Sequence, residues 1–183
     1  MSTAKRALRL RAEVPAEVPA TAMIMAAGLG KRMRPLTATK PKPLIDTDPF
    51  LALNSDNLWI DGPADTLKLL ASQWDDSRMD ALLLLVPQAR ALNHKGIGDF
   101  HMDRAGRIRR REKSHVAPFV FTGIQIVSKR LLRDAPEGPF STNLLWDRAI
   151  EDGRCFGAVH QGLWFDVGTP QSIQLTETAL EHV

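Results

Sequence analysis

Residues 23–44, MIMAAGLGKRMRPLTATKPKPL, constrain this chain more than any other stretch. An apolar run, Ala22 to Ala27, stops at a glycine turn, and Lys31, Arg32, Arg34, Lys40 and Lys42 follow within twelve residues. The run is short, wholly apolar and ends in glycine, which predicts a buried strand opening into a loop. Gly28 and Gly30 allow left-handed backbone angles and close approach of amides to a ligand. Successive amides facing into such a turn form a nest for anions, and the cations add charge where a polyphosphate would lie. A Walker-type P-loop requires Gly-Lys followed by Ser or Thr. Here Arg32 follows Gly30-Lys31, which excludes that class.

The rest of the chain alternates strand and helix signals. Phe50 to Leu53 reads as a strand running into Asn54-Ser55-Asp56-Asn57. Residues 64–74 carry leucines and Trp74 at mostly helical spacing, with Pro63 suited to the first turn. Ala81 to Val86 lacks polar alternation, the pattern of a strand covered on both faces. Gly98 to Met102 and Arg107 to Arg111 flank a hairpin turn at residues 103–106. Pro118 to Val127 is a further strand, and Ser141 caps a helix holding Leu144, Leu145, Ala149 and Ile150. Leu163 to Val167 is the last strand, with Thr169-Pro170 starting a helix to about His182. The alternation predicts an α/β fold with a mostly parallel central sheet. Residues 1–20, with their repeated Ala-Glu-Val-Pro, read as a flexible basic arm ahead of a single domain over residues 21–183.

Composition narrows the function. The 183 residues are 44% hydrophobic and 25% charged, with a net charge of +3, typical of a soluble globular protein. The cations have neither an aromatic stacking platform nor a recognition-helix pattern beside them, which argues against nucleic acid as partner. One cysteine, Cys155, excludes an internal disulfide and a cysteine-rich zinc site, and its neighbour Phe156 suggests a buried thiol. No apolar run has the length of a membrane span or signal peptide, so a cytoplasmic location is expected. The five histidines show no ligand spacing, and no Ser-His-Asp set is evident.

Residues 26–43 resemble the signature of the sugar-nucleotide pyrophosphorylases, a nucleotidyltransferase family whose pattern runs A-A-G-x-G-x-R-x-x-P-L-T and then P-K-P. Such a resemblance implies a Rossmann-like sandwich that joins an NTP to a sugar 1-phosphate with Mg²⁺ and releases pyrophosphate. Nucleotide binding then falls to Gly28, Gly30, Lys31, Arg32 and Lys42, with Arg32 and Lys42 at the reacting phosphates. Asp56 closes an apolar strand, and ligands of open α/β sheets gather at that edge. The resemblance makes Asp56 a metal ligand, whereas the bare sequence also allows an aspartate bonding its own turn. Trp164-Phe165-Asp166-Val167-Gly168-Thr169-Pro170 resembles the family's W-x-D-x-G-T-P. Asp166 is therefore either the second Mg²⁺ ligand or part of a helix-capping turn.

Sugar contacts are expected from Asp99, Glu112, Lys113, Gly123 and Asn143. Glu112-Lys113 stands where relatives carry Glu-Lys-Pro, with Ser114 here in place of the proline, and also reads as a charged strand end. Gly123, in an otherwise β-branched strand, suits close approach of a sugar ring. Asn143 also suits the first turn of its helix. Compact size and Asn-Ser-Asp-Asn-Leu-Trp look most like the branch acting on UTP and N-acetylmuramate 1-phosphate, in peptidoglycan recycling. Mannose 1-phosphate guanylyl transfer is the alternative within the family.

The resemblance is interrupted after Ile45. Relatives carry a helix, two strands and a base-recognising loop between P-K-P and the Asp56 strand, so at least one βαβ unit of about 30 residues is missing. An exposed sheet edge, self-association and poor discrimination among bases are the expected consequences. A non-catalytic remnant that binds nucleotide and sugar phosphate is the rival reading, and an inert deletion product a third.

Overall fold

The computed structural model describes residues 17–25, 47–136 and 140–181. Its centre is β4, Ala81–Pro87, whose six residues from Ala81 to Val86 are all buried. Ala81, Leu83 and Leu85 face one apolar cluster, and Leu82 and Leu84 face the other. Continuous hydrophobicity in the sequence thus reflects a strand covered on both sides.

Around β4 lies a sheet that holds seven strands among the described residues. Its main path runs β1 (Ala22–Met25), β2 (Phe50–Asn54), β8 (Phe119–Val127), β4 and β9 (Cys155–Val159). The β1–β2 and β4–β9 pairs are parallel, while β8 is antiparallel to both β2 and β4. Four of the five path strands therefore point one way, and the reversed β8 makes the sheet mixed. The hairpin β6 (Phe100–Met102) and β7 (Ile108–Arg110) joins through Phe100 and Phe119. A second sheet joins, among the described residues, β3 (Asn57–Ile60), β10 (Leu163–Asp166) and β5 (Ala91–Leu92).

Helices cover the large sheet. Leu70 of α1 (Thr66–Gln73) packs on Leu82 and Leu84, and Leu145, Trp146 and Ala149 of α2 (Thr142–Glu151) pack on the opposite cluster. Asp65 caps α1 by accepting from the Lys68 amide, so Pro63 lies outside the helix rather than in its first turn. Ser141 caps α2 as expected. The last helix, α3 (Pro170–Leu180), starts with a capping box between Thr169 and Ser172. The strands β3, β5 and β9 carry no strong signal of their own, being short or interrupted by glycine. Cys155 is buried at the start of β9, as expected.

Candidate active site at the sheet edge

Only Ser55 and Asp56 separate β2 from β3, so Asp56 stands where the chain crosses from the large sheet to the small one. The β3–β10 ladder pairs Asn57 with Asp166, and the Val167 amide donates to the Asp56 carbonyl at 3.1 Å. Strand pairing thus brings together two aspartates 110 positions apart in the sequence. Their carboxylates both border Gly168. A Cβ on Gly168 would stand 3.2 Å from Asp166 Oδ1 and 3.8 Å from Asp56 Oδ2. The two oxygens are consequently no more than 7.0 Å apart.

Neighbouring groups steady this pair. Asp166 Oδ1 accepts from the Gly168 amide at 3.0 Å, and Oδ2 lies 3.6 Å from His94 Nδ1. Asn57 Nδ2 donates to the Asn54 carbonyl at 2.9 Å, leaving Asn57 Oδ1 buried without a partner. Asn54 and Asn57 also press on Gly123. Between the Leu83–Gln125 and Leu85–Phe121 pairs, β8 carries three residues against one on β4, a bulge centred on Gly123. Gly123 takes φ 85°, and a Cβ there would lie 2.6 Å from Asn57 Nδ2 and 2.9 Å from Asn54 Cβ. Asn54 and Asn57 therefore stand on the side of Gly123 that a Cβ would occupy. Trp164 ties the sheets together, its indole donating to the Thr122 carbonyl at 3.0 Å.

The other expected sugar ligands lie in different surroundings. Asp99 Oδ2 accepts from the Phe121 amide at 2.9 Å, so one of its oxygens is engaged two residues from Gly123. Glu112 and Lys113 are exposed in the loop after β7, with Glu112 3.6 Å from Arg109 and 3.8 Å from His115. Asn143 sits in the first turn of α2, where its side chain accepts from Arg110 at 3.1 Å. Arg110 also pairs with Asp147 at 2.6 Å and lies over the Phe100 and Trp146 rings. Gly28, Gly30, Lys31, Arg32 and Lys42 lie outside the described residues.

The acid pair suits a hard cation. Both carboxylates border Gly168, where a Cβ would press on Asp166 Oδ1, and the buried Oδ1 of Asn57, the residue after Asp56, has no partner. Among the described residues no group of three or more His, Cys, Asp or Glu is arranged to hold a metal. Two carboxylates without a full protein cage fit Mg²⁺, which keeps waters and takes substrate phosphates as its other ligands. A cavity of about 690 Å³ lined by Trp74, Met79, Leu82 and Phe156 includes neither acid.

His94, Asn54, Asn57 and Gly168 were not legible as site residues. Their proximity comes from strand pairing and the β8 bulge, and no spacing in the sequence encodes either. His160 is also buried, but as a structural group. Its Nε2 donates to the Leu163 carbonyl at 3.0 Å, and Nδ1 lies 3.4 Å from the Thr66 hydroxyl.

Comparison with known proteins supports the nucleotidyltransferase resemblance. The chain is 26% identical to N-acetylmuramate alpha-1-phosphate uridylyltransferase of Caulobacter vibrioides, with 90% of this chain and 98% of that protein aligned. The alignment spans 237 positions against a chain of 183 residues, so at least 54 positions have no counterpart here. HddC from Yersinia pseudotuberculosis matches 87% of this chain and 77% of its own, at TM-score 0.57 and 16% identity. A UDP-glucose pyrophosphorylase complexed with UDP-glucose matches 85% and 63%, at TM-score 0.56 and 14% identity. In four of the solved structures it matches, the chain covers 56 to 77% of their length. No protein-family model matches the chain. In fold, and in sequence along nearly the whole of a curated relative, this chain resembles the sugar-phosphate nucleotidyltransferases.

Proposed function

We propose that the chain is a sugar 1-phosphate nucleotidyltransferase, forming an NDP-sugar and pyrophosphate from an NTP and a sugar 1-phosphate. UTP and N-acetylmuramate 1-phosphate are the favoured pair, which places the reaction in cytoplasmic recycling of peptidoglycan. The reading rests on the placement of Asp56 and Asp166 beside Gly168, in a chain similar to a uridylyltransferase along 98% of that protein. Among the described residues no helix is long and apolar enough to cross a membrane.

Nucleotidyl transfer needs alignment and charge neutralisation rather than a protein nucleophile. A phosphate oxygen of the sugar phosphate attacks the α-phosphorus of the NTP, and the bond from that phosphorus to the pyrophosphate oxygen breaks. In this reading the amides from Gly28 to Arg32 cradle the β- and γ-phosphates, and Arg32 adds a forked donor. Lys42 neutralises charge at the reacting phosphates. Asp56 and Asp166 hold Mg²⁺, which when bound offsets the negative charge developing on the phosphoryl oxygens. Asp99, Glu112, Lys113, Gly123 and Asn143 remain the proposed sugar side, with residues 1–20 an arm ahead of one domain.

Pyrophosphate release with a panel of NTPs and sugar 1-phosphates tests the proposal. Mg²⁺-dependent release with UTP that disappears in Asp56→Ala is the expected result. Lys42→Met should cost on the order of 3 kcal/mol of transition-state stabilisation, roughly a hundredfold in rate or more. The shortened alignment favours a second reading, a non-catalytic binder that keeps the phosphate and metal sites. Lost base contacts worth about 3 kcal/mol would weaken nucleotide binding more than a hundredfold. A chain without turnover that still binds UTP and Mg²⁺ in calorimetry is that binder, and one that binds neither is an inert deletion product.

A further inference from the structure

His94 is brought to Asp166 by the small sheet. β5 and β10 pair in parallel, Ala91 with Trp164 and Leu92 with Phe165, so both chains leave the ladder at the same end. Asn93 then takes a left-handed backbone at φ 64°. Its amide donates to Thr176 Oγ1 at 2.9 Å and to the Ser172 carbonyl at 3.3 Å, which fastens this turn to α3. α3 is the helix that follows Asp166 in the chain. The imidazole lies 6.3 Å from the Trp164 ring, tilted by 56°, and its Nε2 occupies the space that a Cβ on Gly96 would need.

The two ring nitrogens differ sharply in surroundings. Nε2 is buried and has no partner, whereas Nδ1 faces Asp166 Oδ2 at 3.6 Å. A stranded N–H is costlier than a stranded lone pair, so in the neutral ring the proton belongs on Nδ1, toward the carboxylate. At 3.6 Å the two atoms stand just beyond hydrogen-bonding distance. The Gly168 amide already holds the other oxygen, Oδ1.

Building on the Mg²⁺-dependent nucleotidyl-transfer reading, we infer that His94 is a positioning residue for the metal-binding carboxylate of Asp166. It touches neither substrate nor ion. Its Nδ1–H and the Gly168 amide grip the two oxygens of Asp166 from separate sides, fixing the orientation in which the remaining lone pairs face Asp56. Gly96 is the ring's seat, and Asn93 locks the turn that presents it. Outer partners that orient metal ligands typically change metal affinity by about 10- to 100-fold when removed.

Mn²⁺ titration of the full chain, read by electron paramagnetic resonance and water-proton relaxation, tests this without relying on turnover. His94→Ala should weaken Mn²⁺ binding about tenfold, while its circular dichroism and unfolding midpoint show a folded chain. His94→Asn, whose amide donor can stand near the Nδ1 position, should restore most of the affinity. Gly96→Ala keeps the imidazole but takes away its seat, and should weaken Mn²⁺ as His94→Ala does. Wild-type Mn²⁺ affinity in a folded His94→Ala or Gly96→Ala, alongside its loss in Asp166→Asn, overturns the role of His94. Should Asp56→Asn and Asp166→Asn both leave Mn²⁺ binding unchanged, the metal reading itself fails first.

Discussion

Gly123 governs the neighbourhood of Asp56 by having no side chain. Its φ of 85° is strained for any L-residue, and the space a Cβ would need is held by Asn54 and Asn57. Gly123→Ala is expected to cost about 1–3 kcal/mol in urea unfolding, and to displace the turn that carries Asp56. His160 supplies a prediction in pH. Burial pushes its imidazole pKa below the ordinary value of 6.5, with the Leu163 carbonyl bond opposing the shift in part. The unfolded chain therefore takes up a proton at a pH where the folded chain does not. This contribution to stability is complete above about pH 6.5 and is lost as pH falls toward the folded value. Unfolding midpoints between pH 7 and 5 should fall less steeply in His160→Gln than in the unchanged chain. The placement of Asp56 and Asp166 at strand ends was legible in the sequence. His94 was not, because a two-residue parallel ladder alone makes it a neighbour of Asp166.

Elements follow the sequence where one local cause dominates. The unbroken apolar run of β4 and the caps at Ser141 and Thr169 predicted their elements to within about two residues. Leu83→Ala, at the fully buried centre of β4, is expected to cost about 2–5 kcal/mol. Thr169→Ala removes the hydroxyl that accepts from the Ser172 amide at 3.1 Å, and should cost about 1 kcal/mol in denaturant unfolding. Since α3 begins there, that variant should also loosen the Asn93 contacts to Ser172 and Thr176. The elements missed were those whose stability comes from partners. β3 is formed by pairing with β10, and β9 by docking along β4. The reversed β8 was equally hidden, since strand direction is decided by the path of the whole chain.

At the level of the whole molecule, the order of strands sets the hierarchy of stability. β4 is hydrogen-bonded on both sides within the core, whereas β1 pairs with β2 alone among the described residues, and Ile24 is 69% exposed. Amide exchange should accordingly be slowest in β4 and fastest in β1, and an equal rate in both would contradict this topology. Cys155 should be silent toward thiol reagents until the chain unfolds, since burial pushes its pKa up to about 12. The missing span was visible from the sequence as an interrupted motif order, and its thermodynamic effect belongs to the whole sheet. Asp166 ends the β3–β10 ladder and Asp56 stands at its head, so both travel with the small sheet, whereas Thr122 lies in the large one. The indole of Trp164, bonded to the Thr122 carbonyl, is thus a spacer between two plates. The seating of the small plate on the large one is therefore calibrated at that ring, and a smaller aromatic at Trp164 would shift Asp56 and Asp166 together.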